Sequence, residues 1–129
     1  MILDTTFLID VLDGKEEARE AEEVLDKRGS AHVTPVSVME LLEGAYLSDT
    51  TDEEIEAVRT LLEGLNHYSF DTEDGIAAGK ISADLIQKGE RVGIEDTMIG
   101  AVALNENEKV LTRNVSDFER IEGVEVESY

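Results

Sequence analysis

The sequence predicts a three-layer α/β fold, in which helices cover both faces of a central parallel sheet of about four or five strands. Short apolar runs alternate along the chain with segments whose apolar residues recur at helical spacing. This alternation indicates parallel strands, because the crossover between two parallel strands usually contains a helix. The length of 129 residues, with 41% hydrophobic residues, predicts one domain spanning residues 1–129.

In the first half of the chain, strands and helices follow one another from the first residue. Pro35 suits the first turn of a helix, where a backbone N–H has no partner within the helix. Gly29 and Gly64 are expected to end helices. The predicted strands are Met1–Leu3, Ala31–Thr34 and Tyr68–Phe70, and the predicted helices are Thr5–Leu12, Glu16–Lys27, one opening at Pro35 and one from Thr51 or Asp52 to Leu62.

The second half continues the same order. A long helix is predicted first, then a glycine-bounded loop and an apolar helix that starts at Asp96. The predicted elements are the helix Thr72–Gln87, the helix from Asp96, the strand Val110–Thr112, a short helix Ser116–Glu119 and an edge strand around Val124 and Val126.

The charge balance is strongly acidic. With 31 Asp and Glu residues against 11 Lys and Arg residues, the formal net charge is −20, and this charge repels nucleic acid. Either a basic partner neutralises the surface or the cytoplasm contains enough salt to screen it. We favour a halophilic source, because the acids are scattered over every predicted surface.

The composition also bears on location. There are no cysteines, which excludes disulfides and thiolate metal sites and is compatible with a reducing cytosol. No apolar stretch is long enough to span a membrane, and no basic leader precedes the first apolar run. We therefore expect a cytoplasmic protein with no membrane association.

Polar residues follow two of the predicted strands. Asp4 follows the first strand, and Thr112, Asn114 and Asp117 lie at or just beyond the end of the strand Val110–Thr112. Ligands of open parallel sheets bind beyond the carboxyl ends of the strands, so these residues are candidates for one site. The alternative roles are local ones: a helix cap for Asp4 and turn stabilisation for the others.

Two further acids lie on helices. Glu40 follows Ser37 at the spacing of a capping box, but Pro35 places the helix start earlier and puts Glu40 in the second turn. Asp96 precedes an apolar helix, so N-capping is its alternative role.

Taken together, four segments resemble the PIN domain, in particular its VapC toxin type. They occur in the order of that family, and with the intervening helices the resemblance covers nearly the whole chain. The matching segments are LDTTFLID with Asp4, SVMELLEGA with Glu40, IEDTMIGAVAL with Asp96, and VLTRNVSDF with Thr112, Asn114 and Asp117.

The resemblance implies a metal-dependent endoribonuclease, with these six residues as its catalytic site. The four acids would bind Mg²⁺ or Mn²⁺, and Mg²⁺ typically takes only one or two carboxylates directly. We expect Asp4 and Asp96 to ligate the ion, the other two acids to act through water or on a second ion, and Thr112 and Asn114 to orient water or phosphate. Thr6 stands where many relatives carry Ser or Asn, so the sequence leaves open which polar group Thr6 contacts. Glu95 is not included in the site.

The resemblance also implies partners. A small member of this kind is expected to cut an RNA substrate, to bind a protein antitoxin and to form a homodimer. A housekeeping RNA-processing nuclease and a non-catalytic interaction module remain alternatives. The residues expected at the dimer interface are Val36, Met39, Leu42, Tyr46, Ile55, Val58 and Leu62, and those expected along the RNA path are Lys80, Lys88, Arg91, Lys109, Arg113 and Arg120.

Other folds with an acid after the first strand fit less well. A haloacid-dehalogenase-like phosphatase needs a second Asp at the position of Thr6. A receiver-like phosphoacceptor needs adjacent acids after the first strand and a late Lys, where this chain has Arg113. His32 and His67 lie in no motif, and we expect structural or surface roles for both.

Overall fold

The computed structural model describes all residues, 1–129. Short strands alternate with helices over the whole length. In chain order the elements are β1 Ile2–Leu3, α1 Thr5–Leu12, α2 Glu16–Lys27, β2 His32–Val33, α3 Pro35–Tyr46, α4 Thr51–Glu63, β3 Asn66–His67, α5 Thr72–Lys88, α6 Ile94–Glu106, β4 Val110–Leu111, α7 Val115–Glu119 and β5 Val126–Glu127.

The strands form one five-stranded sheet in the order β3-β2-β1-β4-β5. All four neighbouring pairs are parallel, which confirms the predicted sheet. The predicted strand Tyr68–Phe70 was placed too late, because β3 is an exposed edge strand whose residues give no apolar signal. Tyr68 itself adds one further ladder bond, from its N–H to the Val33 carbonyl at 2.9 Å.

Apolar side chains cover both faces of the sheet. Successive strand residues point to opposite faces, so Leu3 and Ile2 enter two different hydrophobic clusters. The first cluster contains Phe7 and Leu8 with residues of α2, α3 and α4. The second contains Leu85 of α5 with residues of α6 and α7. The predicted three-layer arrangement is therefore confirmed.

Helix α6 begins earlier than predicted. Gly93 is its N-cap and Ile94 its first residue, so Asp96 lies within the first turn and does not start the helix. No helix of the chain has the length and apolar character needed to cross a membrane.

Candidate active site

The register between β1 and β4 brings the first two site residues together. Ile2 pairs with Val110 and Leu3 with Leu111, so the next residues, Asp4 and Thr112, meet beyond the carboxyl ends of these strands. The Thr112 hydroxyl donates to Asp4 Oδ2 at 2.7 Å. Asp4 is the N-cap residue of α1, but its side chain makes no capping hydrogen bond. Its carboxylate therefore faces the site.

Thr6 joins this pair from the first turn of α1. Its hydroxyl donates to Asp4 Oδ2 at 2.9 Å and lies 3.2 Å from the Thr112 hydroxyl. It also accepts a hydrogen bond from the Arg113 N–H at 3.2 Å. The contact that the sequence left open is thus a direct one to Asp4.

Asn114 connects two acids from different helices. Its Nδ2 donates to Asp96 Oδ2 at 3.0 Å and to Asp117 Oδ2 at 2.8 Å. The backbone N–H of Asn114 donates to the Thr112 hydroxyl at 2.8 Å. One asparagine therefore joins the start of α6, the start of α7 and the loop after β4. The N-cap of α6 is Gly93 and not Asp96, so the N-capping alternative does not describe Asp96.

Glu40 reaches the site from the second turn of α3. The Thr5 hydroxyl lies 2.8 Å from Glu40 Oε1 and 2.9 Å from the Ser37 hydroxyl. Thr34 is the N-cap of α3 and Pro35 its first residue, so Glu40 is not part of a capping box. The sequence analysis did not identify Thr5 and Ser37 as site residues. Both are polar residues at positions that are buried in the fold, and the sequence carried no other signal for them.

Asp96 lies in the most unfavourable electrostatic environment of the site. Burial, followed by the charges of Asp4, Asp117 and Glu40, raises its pKa from 3.8 to about 7, although the Asn114 hydrogen bond acts in the opposite direction. Burial disfavours the charged form, and neighbouring carboxylates disfavour it further. These influences on the pKa of Asp96 show that the four acids share one electrostatic site.

The same repulsion acts on Glu40. Burial raises its pKa, the Thr5 hydrogen bond partly offsets this, and the charges of Glu95, Asp4 and Glu43 raise the pKa further. Glu95, omitted by the sequence analysis, is therefore close enough to affect the site. Its signal was only its position next to Asp96.

Little positive charge balances these acids. Among the four, only Asp117 has a cation within ion-pair distance, and Arg120 Nη1 is 3.9 Å from its Oδ1. The other donors at the site are neutral hydroxyl and amide groups. No three acidic or histidine side chains are close enough together to ligate one ion directly, so an ion here would use fewer direct carboxylates and complete its shell with water. An oxygen-rich, negatively charged donor set of this kind fits Mg²⁺ or Mn²⁺.

The six cations expected along the RNA path are not all gathered at the acidic site, although Arg113 and Arg120 border it. Lys109 precedes β4, at the opposite end of the strands from Asp4, and pairs with Glu125 and Glu127. Lys88 pairs with Asp84 at the end of α5. Distance along the sequence does not show which cations lie near the site, because residues just before and just after a strand lie at its opposite ends.

The apolar positions expected at a dimer interface divide into three groups. Val36, Val58 and Leu62 are core residues, Leu42 and Ile55 are half-buried, and Met39 and Tyr46 are 50% and 64% exposed. His32 stacks on Tyr68 at a centroid distance of 4.4 Å, and the His67 Nε2 lies 2.9 Å from the Leu62 carbonyl. Neither histidine contacts the acidic site.

Comparison with known proteins agrees with this architecture. A family model described as the PIN domain matches residues 1–124. The chain is 33% identical over 97 residues to the tRNA(fMet)-specific endonuclease VapC of Salmonella typhimurium, covering 75% of this chain and 74% of that protein. It is 30% identical over 132 residues to ribonuclease VapC1 of Rickettsia felis, with 98% and 93% covered.

Solved structures give the same result. The crystal structure of DNA-bound VapBC from Salmonella typhimurium matches with a TM-score of 0.91 and 31% identity, covering 98% of this chain and 96% of that one. VapBC-5 of Mycobacterium tuberculosis, a member of the VapBC family of toxin-antitoxin systems, matches with a TM-score of 0.72 and 25% identity, with 98% and 94% covered. The fold and the acidic site define an α/β protein of the PIN class. The chain belongs to the PIN domain family, and both proteins compared above are named VapC.

Proposed function

We propose that this protein is a metal-dependent endoribonuclease and that Asp4, Glu40, Asp96 and Asp117, with Thr112 and Asn114, form its active site. The observation that carries the proposal is the environment of Asp96, whose pKa is raised by burial and then by three other carboxylates, with no nearby cation to lower it. Acids held at such a cost in repulsion require a positive ligand. A divalent cation would provide that ligand, and it would in turn attract the RNA phosphate.

Asp4 and Asp96 are the proposed direct ligands of Mg²⁺ or Mn²⁺. Glu40 and Asp117 would bind the waters of the ion or a second ion. When bound, such an ion would supply a water activated for attack on phosphorus and would stabilise the leaving oxygen. Asp96 would lose its proton on binding the ion, because a nearby cation favours the charged carboxylate.

The neutral residues would set the positions of these carboxylates. Thr112 and Thr6 donate to the same oxygen of Asp4, which leaves Oδ1 free of these donors and able to ligate. Asn114 holds Asp96 and Asp117 at a fixed separation through two hydrogen bonds from one nitrogen. These residues would orient the acids before RNA arrives, so that less ordering is needed during the reaction.

The protein would act as the toxin of a toxin-antitoxin pair. Support comes from the VapC-type relatives and from an acidic groove between α1, α2 and α4. Its rim carries Glu22, Glu23, Glu53 and Glu56 around an apolar floor that includes Leu12 and Leu61. A partner segment that carries apolar and basic side chains would complement this groove and reduce the net charge. A short adjacent reading frame encoding such a partner would favour the toxin over a housekeeping nuclease.

The test is cleavage of a defined RNA by the purified protein. Cleavage with Mg²⁺ or Mn²⁺, its loss in excess chelator and its return when metal is added back are the expected results. Full activity in chelator would reject the mechanism. Growth arrest on expression, relieved by the product of the adjacent reading frame, would separate a toxin from an RNA-processing enzyme.

A further inference from the structure

A second charged cluster lies outside the acidic site and is organised differently. Asp10 of α1 is only 2% exposed, and two cations share its carboxylate. Lys15 Nζ lies 2.8 Å from Oδ1 and Arg113 Nε lies 3.4 Å from Oδ2. The Tyr129 hydroxyl donates to Oδ2. With one carboxylate for two cations, the cluster carries a net positive charge.

The turn after α1 places Lys15 over this carboxylate. The Gly14 N–H donates to the Val11 carbonyl at 3.1 Å and the Lys15 N–H donates to the Asp10 carbonyl at 3.0 Å, which is the Schellman pattern. Gly14 has a φ of 77°, a conformation that other residues adopt only with strain. Gly14 therefore reverses the chain direction at the end of α1, which brings Lys15 next to the carboxylate of Asp10.

Arg113 brings the cluster to the edge of the acidic site. It lies between Thr112 and Asn114, and its backbone N–H donates to the Thr6 hydroxyl at 3.2 Å. Thr6 and Asp10 are one helical turn apart on α1 and share a face. This face of α1 therefore contacts the loop after β4 at two points. Thr6 binds the backbone N–H of Arg113, and Asp10 binds its side chain.

Both cations are available to a ligand. The side chains of Lys15 and Arg113 are 51% and 53% exposed, whereas that of Asp10 is 3% exposed. Lys88 and Lys109 differ, because their acidic partners are themselves exposed and leave no local excess of positive charge. A buried carboxylate fixes its cations without presenting negative charge to solvent. In a chain of net charge −20, this is how a polyanion can be bound close to a site of repelling acids.

We propose that Lys15 and Arg113, held by the buried carboxylate of Asp10, bind the phosphodiester backbone of RNA beside the acidic site. The proposal rests on the proposed function, because it takes RNA as the substrate. Each cation would contact one phosphate, since such contacts position a strand without reading its sequence. The strand would then pass from the loop after β4 across the turn after α1.

The test measures RNA binding without requiring cleavage. A fluorescent 2′-O-methyl oligoribonucleotide, in which the 2′-hydroxyls are methylated, serves as a backbone probe. It is titrated at several salt concentrations, with magnesium and with chelator. Lys15→Met and Arg113→Met are compared with Lys27→Met and Arg59→Met, which remove equivalent exposed charges from α2 and α4. Arg113→Lys and Lys15→Arg restore the charge and show whether an altered fold explains any loss.

We expect each cluster variant to bind roughly three- to tenfold more weakly and to lower the slope of log affinity against log salt by about 0.7, the value for one lost phosphate contact on a single strand. The charge-restoring variants should recover the slope, and the two control variants should match the unmodified protein. Equal slopes for cluster and control variants would overturn the proposal, as would failure of the unmodified protein to bind the probe. The proposed function is tested separately, because a protein that binds through Lys15 and Arg113 but never cleaves RNA would reject only that function.

Discussion

The Thr112 hydroxyl donates a 2.7 Å hydrogen bond to Oδ2 of Asp4, although 108 positions separate the two residues in the chain. The contact depends on the parallel pairing of β1 with β4, which sets Leu3 opposite Leu111. The same hydroxyl accepts the Asn114 N–H at 2.8 Å. Thr112 is fully buried, so water cannot replace these bonds when they are lost.

Thr112→Val should therefore be destabilising and should impair cleavage. Valine keeps the shape of the side chain but leaves the Asn114 N–H and one position on Asp4 without a partner, which costs about 1–3 kcal/mol. The measurement is the free energy of unfolding in denaturant together with the cleavage rate. Thr60→Val, on the exposed face of α4, is the control and should change stability by less than about 0.5 kcal/mol. Equal effects of the two substitutions would show that the hydroxyl contributes nothing.

The raised pKa of Asp96 predicts how stability depends on pH in metal-free buffer. Its folded-state pKa of about 7 exceeds the ordinary value of 3.8, so the folded protein binds this proton more tightly than the unfolded chain does. The stability that proton binding to Asp96 contributes is fully present below about pH 4 and is lost as the pH rises through about 7. Asp96→Asn, which stays neutral, should remove this loss and melt at a higher temperature than the unmodified protein at about pH 8.

Asp13→Asn is the control for that experiment, since Asp13 is exposed at the end of α1. It should follow the pH profile of the unmodified protein. Asp4→Asn should differ from Asp96→Asn, because two hydroxyls already stabilise the charge of Asp4. We therefore expect Asp4→Asn to give no comparable gain in melting temperature. A profile for Asp96→Asn that parallels the unmodified protein would contradict the account of the site.

A third prediction concerns salt. Ion pairs involve only a few of the 31 acidic residues, among them Asp10, Asp84 and Asp117, so most acids repel one another without a partner. Raising the salt concentration to about 1 M shortens the screening length to about 3 Å and should raise the melting temperature steadily. Thermal melts in KCl and NaCl at matched ionic strength would measure this. A melting temperature that does not change with salt would leave the basic partner as the explanation of the acidity.

The fourth prediction is a homodimer that pairs through α3. Met39, Tyr46 and Leu47 leave an exposed apolar surface along this helix and just after it, and Leu47 is 79% exposed. Light scattering at tens of micromolar protein in molar salt should give the mass of a two-fold dimer. Tyr46→Ser should shift the protein toward monomer, whereas Val24→Ser on α2 should not. A monomeric unmodified protein would reject the prediction.

The sequence predicted the site better than it predicted the contacts within it. Asp4 and Asp117 could be placed together because the carboxyl ends of parallel strands share an edge, and the family resemblance added Glu40 and Asp96. The contact of Thr5 with Glu40 depends on how α1 is rotated against α3, which no local pattern encodes. The burial of Asp10 could not be predicted either, because an acid on a helix normally faces solvent.

Strand boundaries were limited by a different cause. Each strand has only two ladder residues, too few for alternation to define an end. The exposed edge strand Asn66–His67 therefore carries no apolar signal, whereas the buried Val110–Leu111 was recognisable.

The most direct test of the central claim is RNA cleavage by Asp4→Asn and Asp96→Asn, with the unmodified protein and Asp13→Asn alongside. Each substitution keeps the size of the side chain but removes a charge that would hold the ion, so cleavage should fall by orders of magnitude while the fold survives. Magnesium should raise the melting temperature of the unmodified protein and of Asp13→Asn by mass action, and this rise should be much smaller in the two site variants. If both site variants cleave RNA at nearly the unmodified rate and keep the full magnesium-induced rise, the acidic site is not the catalytic metal site.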